Sequence, residues 1–347
     1  IINRLIKMYK RLLFLCIIVF VSCSKDDSFE EEIIVNPNAS AKVIGYLPWY
    51  RFSQNDKIEY CKLTHLNIAF ANPESDGTIM LPNNSSGITL QNIISTAKSN
   101  NNEIKIYISL AGGGISSAAL ERWKNFLANP QDRSVLVNKI ISFVIDNNLD
   151  GVDVDLEWEA VTQGYSDFVI ELKSALTSKG KGMTAALPGT TKFDNITEEA
   201  LQTFDFINIM AYDFTGPWNP TSPGQHSSYN HAIESIDFWK NSIGITSEKL
   251  ILGVPFYGYD FVNSDTVNAF TFSSMVELSN ANADIDNVGT KFYNGRSTIR
   301  SKVQLDFFKD QELSQSLPMN DKINEALIQI AHLTLSIAAD EYEDTDK

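Results

Sequence analysis

Short apolar segments rich in β-branched residues recur along the chain from Lys42 onward, and longer amphipathic stretches separate them. Seven segments have this character: residues 43–47, 65–71, 104–110, 151–157, 183–187, 206–212 and 250–256. Regular alternation of strand and helix patterns predicts parallel strands joined by crossover helices. Seven such strands in succession favour an α/β fold of the TIM (β/α)8 barrel type over an open sheet.

Two of the intervening stretches show the helical pattern most fully. In the first, one helical face is formed by Val135, Leu136, Ile140, Phe143 and Val144. In the second, one face is formed by Phe168, Leu172, Ala175 and Leu176, with Ser166 as the N-cap and Gly180 as the stop.

The eighth strand has only one candidate, the late apolar stretch at residues 326–338. Within it Leu333, Leu335 and Ile337 alternate as in a strand, whereas Leu327 and Ile330 would also suit a helical face. We therefore expect an eighth strand that is divergent or incomplete, with residues 309–347 forming a divergent C-terminal segment.

The N-terminal segment has the pattern of a targeting signal. An apolar run at residues 12–21 follows Lys10 and Arg11, and it is short for a membrane span but suits a signal peptide. It ends at Phe20-Val21-Ser22-Cys23, which resembles a bacterial lipobox. The resemblance implies a signal peptide at residues 1–23 and lipidation of Cys23. The alternative is a short transmembrane anchor with an incidental cysteine.

Residues 24–41 are polar and acidic, and we interpret them as a tether to a catalytic barrel at residues 42–308. The tether resembles the acidic stretches that route bacterial lipoproteins to the cell surface. We therefore expect a secreted monomer that contacts the membrane through a lipid anchor in the bacterial outer membrane.

The composition is that of a globular protein, with 43% hydrophobic and 20% charged residues among 347. The net charge of −15 argues against nucleic acid or an anionic membrane surface as a partner, because both require a basic surface. Three cysteines are too few for a disulfide framework, and we expect Cys61 to be an inert buried thiol.

Acidic and apolar residues alternate at the end of the fourth predicted strand. On a strand Asp153, Asp155 and Glu157 face one side, and in a barrel that side is the interior. Successive acids are ~6.7 Å apart by strand rise. Crowded, buried carboxylates raise one another's pKa, which suits an acid that holds its proton near neutral pH and then donates it.

Three other readings of this segment compete with a catalytic one. An exposed edge strand would also alternate, but it would carry Lys or Thr among its acids. A calcium site would prefer a flexible Asp/Asn loop with glycine at its sixth position, and Val154 and Leu156 do not suit such a loop. The third is a solvated charge run, the commonest fate of acids, which the position at the end of a barrel strand disfavours.

Asp150-Gly151-Val152-Asp153-Val154-Asp155-Leu156-Glu157 matches the D-x-x-D-x-D-x-E signature, so the chain resembles the family 18 glycoside hydrolases. Three more segments agree with family motifs in order and spacing: Ser109-Leu110-Ala111-Gly112-Gly113, Met210-Ala211-Tyr212-Asp213-Phe214 and Gly253-Val254-Pro255-Phe256-Tyr257-Gly258. The first resembles the S-x-G-G motif but has one extra residue before its glycines. The likeness covers residues 42–308.

The resemblance implies substrate-assisted catalysis, in which the sugar's own 2-acetamido group attacks and no enzyme carboxylate does. Glu157 would act as general acid and then as base. Asp155 would orient the acetamido group, with Asp153 as its buried proton partner. Tyr212 would hydrogen-bond the acetamido carbonyl, and Asp213 would contact the sugar near the cleaved bond.

Candidate substrate contacts close several strands. Aromatic residues at or after strand ends are Tyr46, Trp49, Phe70, Trp158 and Trp218, and a place in the core is an equal alternative for each. Met210 joins them through its motif. The resemblance implies no cofactor and no metal, and the spacing of His65, His226, His231 and His332 does not suggest a metal site.

Three features depart from the family pattern. Only residues 259–296 are available for the extra domain that many processive members carry, which favours a shallower, endo-acting groove. Tyr259 stands where many relatives have arginine. The last tryptophan is Trp239, whereas the family usually ends its eighth strand with one.

The resemblance leaves three functions open, with an N-acetylglucosamine-containing polysaccharide or glycan as the partner in each. The first is endo-acting hydrolysis of β-1,4 linkages in chitin. The second is an endo-β-N-acetylglucosaminidase acting on the chitobiose core of N-glycans. The third is an inactive chitin-binding lectin, which the intact Glu157 disfavours and the missing tryptophan mildly favours.

Overall fold

Seven parallel strands form the main sheet of the computed structural model, which describes residues 42–278, 282–299 and 301–302. With one short antiparallel strand, β3, the sheet has eight strands: β1 (Ile44–Pro48), β2 (His65–Pro73), β3 (Ile79–Met80), β4 (Lys105–Ala111), β5 (Gly151–Asp155), β6 (Gly182–Pro188), β7 (Ile207–Met210) and β8 (Leu250–Leu252). Their order is β1-β2-β4-β5-β6-β7-β8, and β3 pairs antiparallel with β2. The predicted TIM-barrel fold is confirmed.

The barrel is incomplete within these described residues. Among the described residues, no strand pairs with both β8 and β1 to close the barrel. This open edge fits the predicted incomplete eighth strand. The candidate stretch at residues 326–338 lies outside the described residues, as do the predicted signal peptide with Cys23 and the predicted tether up to residue 41. In the part that is described, no helix is long and apolar enough to cross a membrane.

Helices cover the outside of the sheet. The α-helices are α1 (Leu90–Asn100), α2 (Ser117–Leu127), α3 (Pro130–Asp146), α4 (Tyr165–Thr177), α5 (Glu198–Thr203) and α6 (Tyr229–Asp237). Shorter 3-10 helices lie at Trp49–Lys57, Tyr60–Lys62, Trp158–Ala160 and Ser247–Lys249, and a π-helical turn at Phe238–Ser242. Side chains cap five of these α-helices: Thr89 for α1, Ser116 for α2, Asn129 for α3, Thr197 for α5 and Ser228 for α6.

Three details of the sequence prediction are wrong. Val135 is 46% exposed while Val137 is buried, so the apolar face of α3 is rotated from the predicted one. Ser166 is the second residue of α4, and Gly164 occupies the N-cap position instead. The Ser166 hydroxyl donates to the carbonyl oxygen of Asn195 at 2.7 Å and does not cap the helix. Cys61 is exposed, since its neighbour Tyr60 takes the inward position.

The apolar residues of the fourth barrel strand build the core as predicted. Val152, Val154 and Leu156 are fully buried and belong to one hydrophobic cluster with Leu136 of α3 and Phe168 of α4. Burying a side chain of this size contributes about 1.5–3 kcal/mol. The opposite side of β5 is thereby left to face the barrel interior.

A second, smaller sheet follows the seventh barrel strand. It consists of β9 (Tyr257–Asn263), β10 (Thr266–Thr271), β11 (Asn287–Val288) and β12 (Lys291–Phe292), with α7 (Phe272–Leu278) after β10. The antiparallel order is β10-β9-β12-β11. Phe272, Met275 and Tyr293 form a separate small core there. The sequence prediction judged this stretch by its length alone and missed its strands.

Candidate active site

The three predicted acids lie at the C-terminal end of β5, where chemistry is found in barrels of this type. Asp153 and Asp155 belong to the strand. Glu157 follows two residues later with an extended backbone, φ −120° and ψ 157°. The predicted strand ran to Glu157, but β5 ends at Asp155, because Trp158 adopts a positive φ of 45° and turns the chain into a 3-10 helix.

Asp153 is fully buried and accepts four side-chain hydrogen bonds from four other strands. Its Oδ2 accepts from the hydroxyls of Tyr46 at 2.9 Å and Ser109 at 2.7 Å. Its Oδ1 accepts from Thr184 at 2.6 Å and Asn208 at 3.3 Å. Burial raises the pKa of Asp153, and these hydrogen bonds oppose the rise. A buried carboxylate that accepts this many hydrogen bonds is held in one orientation, so Asp153 gives rigid support to the next acid of the row.

Asp155 lies above Asp153 and is 4% exposed. Burial raises its pKa well above the ordinary range, and the charges of Glu157 and Asp153 raise it further. Its Oδ1 is buried without a hydrogen-bond partner among the described residues. An unpartnered buried oxygen is costly, so a site that keeps one is suited to receive a donor from a ligand.

Glu157 occupies the outer end of the row and is partly exposed. Burial raises its pKa to about 7, the charge of Asp213 adds to the rise, and a hydrogen bond to Trp158 opposes it. A Cβ placed on Gly113 would lie 3.3 Å from Oε1 of Glu157, so the carboxyl group rests against bare backbone. A carboxyl group with this pKa can donate and take back a proton near neutral pH.

Tyr212 and Asp213 follow β7 and face the same row of acids. The predicted strand ran to Tyr212, but β7 ends at Met210 and Asp213 has a φ of 61°. Burial and the charges of Asp155, Asp213 and Glu157 raise the pKa of the Tyr212 phenol well above its usual value. The phenol therefore remains a hydrogen-bond donor at any pH at which a protein of this kind works.

Comparison with known proteins identifies the family of the chain. The family model described as Glycosyl hydrolases family 18 matches residues 42–340. The chain belongs to this family. The match continues past residue 308, so the predicted limit of the likeness was too short.

Solved structures and curated sequences resemble the chain to different extents. The GH18 chitinase ChiB from the chitin utilization locus of Flavobacterium johnsoniae is 45% identical with a TM-score of 0.75, over 84% of this chain and 93% of that one. A chitinase from Bacteroides thetaiotaomicron is 30% identical with a TM-score of 0.68, over 85% and 96%. A probable endochitinase of Caenorhabditis elegans is 26% identical over 62% of this chain and 40% of that protein.

The chain spans well under two thirds of the curated relatives it matches first, with 8%, 40% and 56% of their lengths covered. The similarity to those relatives therefore concerns only the part of each that the chain covers.

The predicted aromatic contacts divide into buried and exposed groups. Tyr46 lies inside the barrel and acts through its hydroxyl on Asp153. Trp49 is half-buried with its ring 5.4 Å from that of Tyr50. Trp158 and Trp218 are 63% and 57% exposed, so their ring faces are available to a sugar.

The two remaining predicted contacts are half-buried residues of β2 and β7. Phe70 in β2 packs so closely on Gly112 that a Cβ there would lie 2.5 Å from its ring. Met210 is the last residue of β7. Among the described residues, no group of three His, Cys, Asp or Glu could hold a metal ion.

Sequence reasoning missed Ser109, Thr184 and Asn208 as donors to Asp153, and His226 beside Asp213. Strand register contains the missing signal for two of them, because Ser109 and Thr184 are the direct partners of Asp153 in the sheet. Side chains paired in this way face the same side. Nothing local to His226 indicates its place, since Asp213 is reached only through the fold.

Proposed function

We propose that this protein hydrolyses internal β-1,4 linkages in chitin or chitin oligosaccharides by a substrate-assisted, retaining mechanism. The observation that supports it is the row of carboxyl groups ending in Glu157, whose pKa is about 7. Beneath it, Asp155 offers a buried oxygen without a partner. The chain's 45% identity to a chitinase supports chitin as the substrate class.

In the first step Glu157 donates its proton to the glycosidic oxygen as the C1–O bond breaks, and the 2-acetamido carbonyl oxygen attacks C1 from the other side. The aglycone leaves with the proton, and Glu157 becomes a carboxylate. In the second step Glu157 removes a proton from water, the water oxygen attacks C1, and the ring formed by the acetamido group opens. Two inversions at C1 retain the β-anomer.

The neighbouring groups fit the charge that develops in the first step. Oδ1 of Asp155 can accept the acetamido N–H, which becomes more acidic as positive charge forms on the closing ring. The Tyr212 hydroxyl can donate to the acetamido oxygen and hold it on the path to C1. Asp153, held by its four donors, keeps a carboxylate directly beneath Asp155.

The proposal of internal cleavage is supported by the two exposed aromatic rings, Trp158 and Trp218, which provide stacking surfaces for a polymer. The small sheet of β9 to β12 uses a short stretch of chain, which suits an open groove. We further propose that lipid on Cys23 anchors the enzyme to the outer membrane, on the basis of the sequence pattern alone.

The experiment offers the protein three substrates: a chitin hexasaccharide, the fully deacetylated hexasaccharide, and a high-mannose glycoprotein. We expect cleavage of the first only, with products followed by mass spectrometry and proton NMR. Early β-anomer supports the mechanism, and early α-anomer contradicts it. Cleavage of the glycoprotein instead would establish the N-glycan alternative, and binding without cleavage would establish the lectin.

Variants of Glu157 and Glu159 provide the matched pair for this assay. Glu157→Gln should lower turnover roughly 10²–10⁴-fold while oligosaccharide binding persists. Glu159→Gln should retain wild-type turnover, because that side chain is 75% exposed in its ion pair with Lys124. If Glu157→Gln keeps more than about a tenth of the wild-type rate, Glu157 is not the general acid.

A further inference from the structure

Tyr259 is a buried residue in the middle of the small sheet. It is the third residue of β9 and is 3% exposed. On one side its backbone pairs with Ala269 of β10, and on the other side it pairs with Phe292 of β12. Buried strands with neighbours on both sides open less readily than loops do. The side chain of Tyr259 is therefore a firm support for the groups that it contacts.

The ring of Tyr259 contacts Trp218, one of the two exposed tryptophans proposed to stack on sugars. The ring centroids are 5.9 Å apart and the planes meet at 86°, which is the edge-to-face arrangement that aromatic pairs favour. The indole also lies against Gly216, where a Cβ would be 2.7 Å from it. Trp218 nevertheless keeps 57% of its surface exposed. Contacts with Tyr259 and Gly216 thus set the direction of an indole that would otherwise be free to change rotamer.

The hydroxyl of Tyr259 contacts Asp213. It donates to Oδ1 at 3.0 Å, and the hydroxyl of Tyr257 donates to the same oxygen at 2.7 Å. The side chain of Asp213 is still 37% exposed, and its described contacts of hydrogen-bond length all end on Oδ1. Oδ2 is therefore available to a ligand. The charge of Asp213 raises the pKa of Glu157, so the two hydroxyls orient a carboxylate that acts on the general acid.

One side chain thus contacts a stacking surface with its ring and a carboxylate of the site with its hydroxyl. We propose that Tyr259 is a positioning residue that fixes Trp218 and Asp213 relative to each other, so that a sugar stacked on the indole presents its linkage to the general acid in one geometry. For its kinetic consequence this inference rests on the proposed hydrolysis of chitin. The orientation of Trp218 does not depend on any activity, so the two can fail separately.

The first test observes the indole of Trp218 without substrate, by ¹⁹F NMR of protein that contains fluorotryptophan. The chain has five tryptophans, and Trp218→Phe identifies the signal by its loss. We expect Tyr259→Leu to move or broaden this signal, because the supporting ring is gone. Tyr259→Phe should leave the signal close to that of wild type, because it removes the hydroxyl and keeps the ring.

Phe261→Leu is the matched control for the loss of a ring. Phe261 lies on the same face of β9, two residues after Tyr259. It forms an edge-to-face pair of similar geometry with Phe292, at 5.8 Å and 82°. Its replacement should leave the Trp218 signal unchanged. An unmoved signal in Tyr259→Leu, or an equal change in Phe261→Leu, would overturn the proposal whether or not the protein hydrolyses chitin.

The second test separates kcat from KM on a chitin hexasaccharide. Tyr259→Phe should lower kcat about tenfold and leave KM within about twofold, because Asp213 loses a donor while Trp218 keeps its support. Tyr257→Phe should behave in the same way, since it removes the other hydroxyl on Oδ1. Tyr259→Leu should also raise KM roughly 2–10-fold, the change that corresponds to the loss of one aromatic pair.

The Trp218→Ala background decides whether the change in KM passes through the indole. In that background Tyr259→Leu should no longer raise KM, whereas its loss of kcat should remain. An equal rise of KM in both backgrounds, or the same losses in Phe261→Leu, would assign Tyr259 a purely structural role in the small sheet and overturn the proposal. A protein without turnover on any chitin substrate would overturn the proposed hydrolysis, and the NMR signal of Trp218 would then decide the inference.

Discussion

Replacing Glu157 by Gln should stabilise the folded protein, and it should do so only above about pH 5. The folded state raises the pKa of Glu157 from 4.5 to about 7 through burial and the charge of Asp213. The folded protein therefore holds this proton more tightly than the unfolded chain does. As pH rises from 4.5 to about 7, the unfolded chain ionises first and the folded state loses relative stability. Above that range both states are ionised and the loss is complete.

Each pH unit between the folded and unfolded pKa corresponds to about 1.4 kcal/mol, which gives a loss of roughly 3 kcal/mol for Glu157 at alkaline pH. Gln has nearly the same shape and no charge, so the variant avoids this loss. The substitution also removes the charge of Glu157 that raises the pKa of Asp155. This second effect likewise favours the variant at alkaline pH.

The assay is chemical denaturation of wild type and Glu157→Gln at about pH 4.5 and about pH 8.5. The two free energies of unfolding should agree at the acidic pH and differ by roughly 3 kcal/mol in favour of the variant at the alkaline pH. Glu159→Gln is the control and should change stability by less than about 1 kcal/mol at either pH, as expected for an exposed ion pair. A difference between wild type and Glu157→Gln that is the same at both pH values would refute the reasoning.

Three further predictions each concern the substitution of one residue. Gly112→Ala should lower the free energy of unfolding by about 1–3 kcal/mol more than Gly114→Ala, because both have positive φ but only the first would place a Cβ 2.5 Å from an aromatic ring. Thr184→Val should cost about 1–3 kcal/mol in denaturation experiments by removing one of the four donors to the buried carboxylate of β5, whereas Thr184→Ser should cost less. Cys23→Ala should move the protein from the membrane fraction to the soluble fraction, and unchanged fractionation would mean that the apolar run at residues 12–21 is itself the anchor.

Most of the barrel strands were predictable because they are buried apolar runs. A strand that is buried on both faces has apolar residues at nearly every position, and this composition is visible in the sequence. Their ends were less predictable. At β5 and β7 the strand stops short of the predicted position, and the chain turns at Trp158 and Asp213 with positive φ. Positive φ is usually signalled in a sequence by glycine, and neither residue is a glycine, so the local sequence does not predict the turn. The surrounding structure imposes it.

The acids of the site were predictable for a similar reason, since buried like charges on one face of a strand have few purely structural explanations. Their supporting groups were not. Asn208 and His226 reach their carboxylates across 55 and 13 positions of sequence. Such contacts depend on strand register and on the path of a loop, which the alternation of polar and apolar residues does not encode.

The four hydrogen bonds to Asp153 tie the assembly of the barrel to its chemistry. Tyr46 of β1, Ser109 of β4, Thr184 of β6 and Asn208 of β7 all meet on this one carboxylate of β5. If any of these strands shifted its register by one residue, its donor would turn toward the helices. The buried carboxylate of Asp153 would then lose a hydrogen bond that offsets the cost of its burial. A misaligned barrel is thus destabilised through the same carboxylate that the proposed reaction uses. A design that transfers the acid row to another barrel would therefore also need a hydrogen-bond donor on each of four other strands. The acids alone fix neither the register of those strands nor the pKa of Asp153.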